Sequence, residues 1–270
     1  MIGECLPYES ETVNELRVLL EPSTALADQL RRRVSAFFAA SSWTVSANPK
    51  NPTIDPFVTA VVAGRLAKAI KSHRAVQGLA HQGLGHDALT VCRTLLETSA
   101  AIAFILQQDS RHRAALYTAH ALFNKRKMLT GWRNTPELRK FVTLESEKEV
   151  NAELATVVTE LGDHVDYWSH WSGRGGLEQA LNTLNGTTVY QILFRHASSI
   201  AHSTDIADHL FDGKEDERIG VEVQPSEKWT REALHAANVL LWLAAMATST
   251  GLGLGFDVSD LRLAVIPDAT

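Results

Sequence analysis

The chain has 270 residues, 45% of them hydrophobic, which is enough apolar material for a sizeable core in one large domain or two small ones. A formal net charge of −5, from 26 Lys plus Arg against 31 Asp plus Glu, excludes a global positive field that would hold a polyanion non-specifically. Aromatic content is only 7% while alanine and leucine are plentiful, a balance that predicts helices rather than a sandwich or barrel.

Along the chain, Glu11 to Leu20 and Ser23 to Ala40 show helical spacing, with Pro22 ending one segment and Ser23 positioned to cap the next. Trp43 to Pro56 carries Pro49, Pro52, Asn48 and Asn51 without an apolar period and predicts a loop. Residues 1–55 therefore read as a helical arm and Pro-rich loop, 56–255 as a helical-bundle domain and 256–270 as a tail. Apolar residues recur at three and four from Phe57 to Gln82 and from His86 to Gln108, interrupted only by Gly83 and Gly85, which predicts an antiparallel helical hairpin. A third helix is expected from Arg111 to Trp132 and a fourth from Pro136 to Leu161, with Pro136 suited to a first turn.

The stretch Asp163 to Gly176 mixes His164, Trp168, His170 and Trp171 with glycines and suits an ordered loop. Leu177 to Leu184 predicts a short helix stopped by Asn185-Gly186, and Thr188 to Leu210 a longer one. The acidic segment Asp212 to Glu222 is expected as a surface loop, and Ser226 to Thr250 as a final core helix capped by Ser226. Only Val239 to Phe256 resembles a membrane span, and Thr248, Ser249 and Thr250 favour a buried core helix instead. The sum is an all-α chain, a single bundle of four or five core helices packed mostly antiparallel because their connections are short.

Cys5 and Cys92 are far apart and Cys92 lies in an apolar run, so neither a disulfide framework nor a thiolate metal site is indicated. The N-terminal residues lack a basic stretch followed by an apolar one, and a cytoplasmic protein without membrane association is expected.

Two polar stripes carry the candidate chemistry. Between Tyr190 and His209, Arg195, His202 and His209 recur at intervals of seven, nearly two helical turns, and so align on one face. A histidine titrating near neutrality can serve as general acid or base, and an adjacent arginine can stabilise charge on a phosphoryl oxygen. The plainer reading is the solvated side of an amphipathic helix, although Glu, Lys and Gln fill such faces more often than histidine.

On the helix beginning near Gly85, His86, Thr90, Arg93 and Glu97 fall within an arc of about 60° in otherwise apolar surroundings. Arg93 and Glu97 are spaced either to neutralise one another or to form an anion clamp. In the clamp, Arg93 offers planar donors to a phosphate or carboxylate, and Glu97 fixes the guanidinium or takes a proton. His170 and Tyr190 are supporting polar groups. Asp205 and His209, with His202 a turn away, have a spacing that could present metal ligands, but no paired Glu-x-x-His motif accompanies them, so no metal or cofactor is assigned. His73, His81, His112, His120, His196 and His235 have no distinguishing spacing, and Gly251-Leu-Gly-Leu-Gly follows a helix rather than a strand, unlike a phosphate loop.

Three blocks of residues carry a resemblance. Cys92-Arg-Thr-Leu-Leu-Glu97, Tyr167-Trp-Ser-His-Trp-Ser-Gly173, and Tyr190 followed by Arg195-His-Ala-Ser-Ser-Ile-Ala-His202 resemble, in that order, an uncharacterised all-helical bacterial family, domain of unknown function 5677. More loosely, Arg195 and His202, six residues between them, resemble the Arg-spacer-His motif of HEPN-type helical-bundle ribonucleases of toxins and defence systems. That resemblance implies a homodimer acting on RNA without a metal, its paired motifs promoting attack of a ribose 2′-hydroxyl on the adjacent phosphate. Against a nuclease stand a non-catalytic protein holding a small anion with the same residues and, third, a metal-dependent bundle enzyme.

Overall fold

The computed structural model describes residues 55–162, 166–201, 210–213, 218–221 and 227–253, together with Ala25, Asp28, Gln29 and Arg32. Those four are helical; the rest of the predicted arm, most of the Pro-rich loop, and the tail lie outside the described residues.

Helix α1 spans Pro56–Ala80. The Asp55 carboxylate accepts the Phe57 N–H at 2.7 Å, and Pro56 sits in the first turn, where a missing N–H costs nothing. A tight turn through Gly83, whose φ of 74° favours glycine, leads into α2, Gly85–Gln107. Helix α3, Ser110–Asn134, follows almost at once.

The expected fourth helix begins later than Pro136. Thr135 is extended, as the residue before a proline tends to be, and a 3₁₀ turn at Arg139–Phe141 intervenes. Thr143 then caps α4, Leu144–Leu161, its side chain accepting the Ser146 N–H at 3.0 Å while Glu145 and Glu147 lie at the positive end of the helix dipole. Helix α5, Gly176–Thr183, ends ahead of Asn185 in the left-handed region.

A single α-turn at Thr187–Val189 and a π-helical turn at Tyr190–Phe194 run directly into α6, Arg195–Ala201. Residues 202–209, including His202, Asp205 and His209, lie outside the described residues. Where an acidic surface loop was expected, Leu210–Gly213 (β1) pairs antiparallel with Arg218–Val221 (β2), Leu210 opposite Val221. Val221 and Ile219 are β-branched, a preference that a reading of charge alone overlooks. The chain closes the bundle with α7, Glu227–Gly251.

The all-helical bundle is therefore what the chain forms, and α2 is its centre, packed against α7 and α1. Leu66, Leu95, Ile102, Ile105 and Leu241 are fully buried there. One orientation differs from expectation. Helices α1 and α2 form an antiparallel hairpin, but α7 runs parallel to α2, because more than a hundred residues intervene. Cys92 Sγ donates to Ala233 O at 3.3 Å and Ser99 Oγ to Leu240 O at 3.0 Å, so the register advances together along both helices.

The two axes approach closely at both ends. A Cβ on Gly85 would lie 2.5 Å from Thr230 N, and one on Gly251 would lie 2.8 Å from Leu106 Cβ. Between α1 and α7, His73 Nε2 meets Asn238 Oδ1 at 2.9 Å in the interior. A second, smaller cluster joins α3 to α4 through Ala115, Leu116, Ala119, Leu122, Leu154, Val157 and Leu161.

Two helices, Gly85–Gln107 and Lys228–Gly251, are long and apolar enough to cross a membrane, and each is mostly buried within the bundle. Such helices are also what the core of a folded bundle contains.

Candidate functional site

Arg93 and Glu97 are one turn apart on α2, with Arg93 Nε 3.5 Å from Glu97 Oε1. Their side chains keep 30% and 39% of their surface exposed, so the pair lies at the margin of the core rather than inside it. The Arg93 guanidinium carbon stands 4.8 Å over the ring of Phe194, and Phe194 is stacked on Tyr190 at 5.1 Å and 15°. A cation above a ring face is held there by the ring quadrupole, so the π-helical turn supplies a platform for the arginine. Burial pushes the Glu97 carboxyl up from its ordinary range, and the Arg93 charge opposes that rise. Glu97 is thus both a partner for the guanidinium and a carboxylate inclined to hold a proton.

Of the six candidate residues, the structure brings Arg93, Glu97 and Tyr190 together through Phe194. Arg195 follows Phe194 directly and is exposed, and His202 lies outside the described residues. The histidine beside Arg195 turns inward. The His196 ring is stacked on Trp229 of α7 at 4.9 Å and 29°, and His86 of α2 approaches the same indole at 5.1 Å. These contacts fix α6 to the beginnings of α2 and α7.

His170 belongs to a different neighbourhood, on the loop between α4 and α5. Its Nδ1 accepts the Ser172 N–H at 3.2 Å and lies 2.7 Å from Ser172 Oγ, which in turn reaches Gly176 O at 2.9 Å. Its ring lies 4.7 Å from that of Trp171 and 6.0 Å from that of His120. Burial, and secondarily the charge of His120, push the His170 imidazole down to about 4, so at neutral pH it is an uncharged acceptor rather than a cation for a phosphate. His120 has both ring nitrogens occupied, by Tyr167 O at 2.8 Å and the Asn124 amide at 2.9 Å. Among the described contacts none joins His170 to Arg93 or Glu97.

Trp171 links that loop to Phe104 at 5.9 Å and to Tyr117 at 5.8 Å. Tyr117, on α3, receives a hydrogen bond from the Arg65 guanidinium of α1, which also stands 4.8 Å over its ring. Burial pushes the Tyr117 phenol up; Arg65 lowers it and Glu97 adds to the rise. The sequence reading missed Arg65 and Tyr117. Its available signal was a lone arginine between Val61, Val62 and Leu66, a charge in an apolar stretch of helix that calls for a partner.

Cys92 is buried, its thiol pushed up to about 12 by desolvation, and this makes it a structural donor rather than a nucleophile. Among the described residues no group of three His, Cys, Asp or Glu side chains is placed to hold a metal ion.

A family model matches residues 59–218, more than half of the chain, from the first turn of α1 to the start of β2. The chain belongs to DUF5677, a family of unknown function. The DUF5677 region includes Arg65, Arg93, Glu97, Tyr117, His170, Tyr190, Arg195 and His202, and leaves α7 outside the matched span although α7 completes the core. No curated protein and no solved structure matches the chain.

Proposed function

We propose that this DUF5677 protein binds a phosphate-bearing ligand where α2 meets the turn leading into α6, and that metal-independent cleavage of RNA is the reaction carried out there. The observation behind this reading is Arg93, laid over Phe194, steadied by Glu97 and partly open to solvent. Arg93 and the exposed Arg195 receive phosphate oxygens, and Tyr190 holds Phe194 beneath the guanidinium. His202, with Glu97 as the auxiliary proton acceptor, takes the proton from a ribose 2′-hydroxyl as that oxygen attacks the adjacent phosphorus. The bond to the 5′-oxygen breaks, that oxygen is protonated as it leaves, and a cyclic phosphate remains. In this reading the protein is a cytoplasmic bacterial toxin or defence component acting as a homodimer.

The test is incubation of the full chain with single-stranded RNA in EDTA. Cutting that disappears in His202→Ala, with an unchanged melting temperature, supports the assignment; cutting that survives the substitution rejects it. The direct Arg93–Glu97 pairing favours one second reading, a protein that holds an anion without transforming it. Phosphate would then raise the melting temperature without any product, and Arg93→Ala would remove that rise.

A further inference from the structure

Helices α1 and α3 run side by side and leave an open groove of about 330 Å³, lined by Val61, Gly64, Arg65, Tyr117, Ala121 and Lys125 among others. That volume lies at the lower end of the range, about 300–1,000 Å³, in which small ligands are held. The described residues lining it include no carboxylate. Its polar groups are hydrogen-bond donors. The Arg65 guanidinium has no described carboxylate within ion-pair distance and is instead bonded to the Tyr117 hydroxyl oxygen. Because that oxygen accepts from Arg65, the phenolic hydrogen is left to donate, and burial keeps the phenol protonated. Lys125 adds three N–H donors at one end, while the Thr118 hydroxyl is turned away, donating to Ala114 O at 2.9 Å.

A half-buried guanidinium facing donors calls for an anion, since partly desolvated charge is costly without an opposite one. Arginine elsewhere on α3 shows the usual solution, Arg111 being bound to Asp55 and Glu160. Val61, Ala121 and Leu122 make much of the lining apolar, so a bare inorganic anion would leave that part unfilled.

We propose that this groove is a ligand site for a small amphiphilic carboxylate. The two oxygens lie in the fork of Arg65 with the Tyr117 hydroxyl and Lys125, and the apolar body lies along Val61, Ala121 and Leu122. A planar carboxylate matches one guanidinium edge and one hydroxyl, and its apolar body covers the apolar lining that an inorganic phosphate would leave bare. The site is independent of the reading built on Arg93 and Glu97.

The experiment is calorimetric titration of the full chain with octanoate. Arg65→Gln removes the charge and should weaken binding about tenfold or more, equivalent to about 1.4 kcal/mol per factor of ten. Gly64→Leu is the second variant. Gly64 lines the groove and nothing lies within 4 Å of a Cβ there, so the first carbon of a leucine meets open space, and replacing a mid-helix glycine favours the helix. It should weaken octanoate to a similar degree with no loss of melting temperature. Unchanged affinity in either variant, no binding by the wild-type chain, or displacement of octanoate by inorganic phosphate overturns the proposal. Failure of RNA cleavage or of phosphate binding leaves these outcomes unaffected, so the two readings fall separately.

Discussion

The assembly of α1, α2 and α7 differs in kind from the α3–α4 pair. In the first, apolar area dominates, and the polar contacts that set register are buried hydrogen bonds: Cys92 to Ala233, Ser99 to Leu240, and His73 to Asn238. In the second, a thin seam of seven buried side chains is rimmed by charge. Arg111 joins Asp55 and Glu160 there and covers the Phe57 ring at 4.6 Å, and Arg133 pairs with Glu147. Buried hydrogen bonds specify which residues meet, since leaving one unmade strands a buried group; ion pairs at an exposed rim contribute little each. The groove at Arg65 and Tyr117 lies between the two regions, where neither way of satisfying polar groups is complete.

That contrast can be broken by truncating each interior. Leu95→Ala, from a side chain with no exposed surface, should cost about 3–4 kcal/mol by urea denaturation, and Leu154→Ala in the seam about 2 kcal/mol, because the thinner cluster can close over the gap. Equal losses would mean that the two regions form one core. Overpacking at Gly85 comes next. Gly85→Ala should destabilise by about 1–3 kcal/mol, since the added carbon meets the backbone of α7, and a neutral result would show that α2 and α7 can part without penalty.

Arg111→Met should cost about 1 kcal/mol or less in dilute buffer and nearly nothing in about 1 M salt, where exposed ion pairs are screened. A loss that persists in salt would place that arginine among the buried contacts. The smallest effect is a slope. His170 is held down to about 4 by burial and by His120, against 6.5 in an unfolded chain. Between those values the unfolded state takes up a proton that the folded state declines, so stability falls as pH drops from about 6.5 towards 4. Melting temperature measured against pH should be flatter in His170→Gln; parallel curves would remove His170 from the account.

Element type was legible wherever one segment carries its own evidence. The periodicity of α1, α2, α3 and α7 marks them as helices, and Arg93 and Glu97, one turn apart on a single helix, could be paired on paper. What depends on distant neighbours was not legible. Arg65 and Tyr117 are 52 residues apart, and the low imidazole of His170 comes from its burial in the folded chain, with a histidine of α3 adding to it. The close approach of α7 to α2 depends on Gly85 and Gly251, whose role no local pattern announces. Pro136 misled because a proline suited to a first turn is equally suited to an ordinary turn, and Thr143 made the better cap.

The π-helical turn at Tyr190–Phe194 amounts to one residue more than an ordinary turn would use, seen in the Arg195 N–H reaching back to Tyr190 O. A single surplus residue rotates everything after it by about 100° relative to an unbroken α-helix counted from Thr187. A wheel drawn across the whole segment is therefore out of phase with itself, and the order of Arg195 outward and His196 against Trp229 is written in chain length as much as in residue identity. Loss of Gln191 from that turn would leave every candidate side chain present while turning α6 until His196 no longer faced the indole.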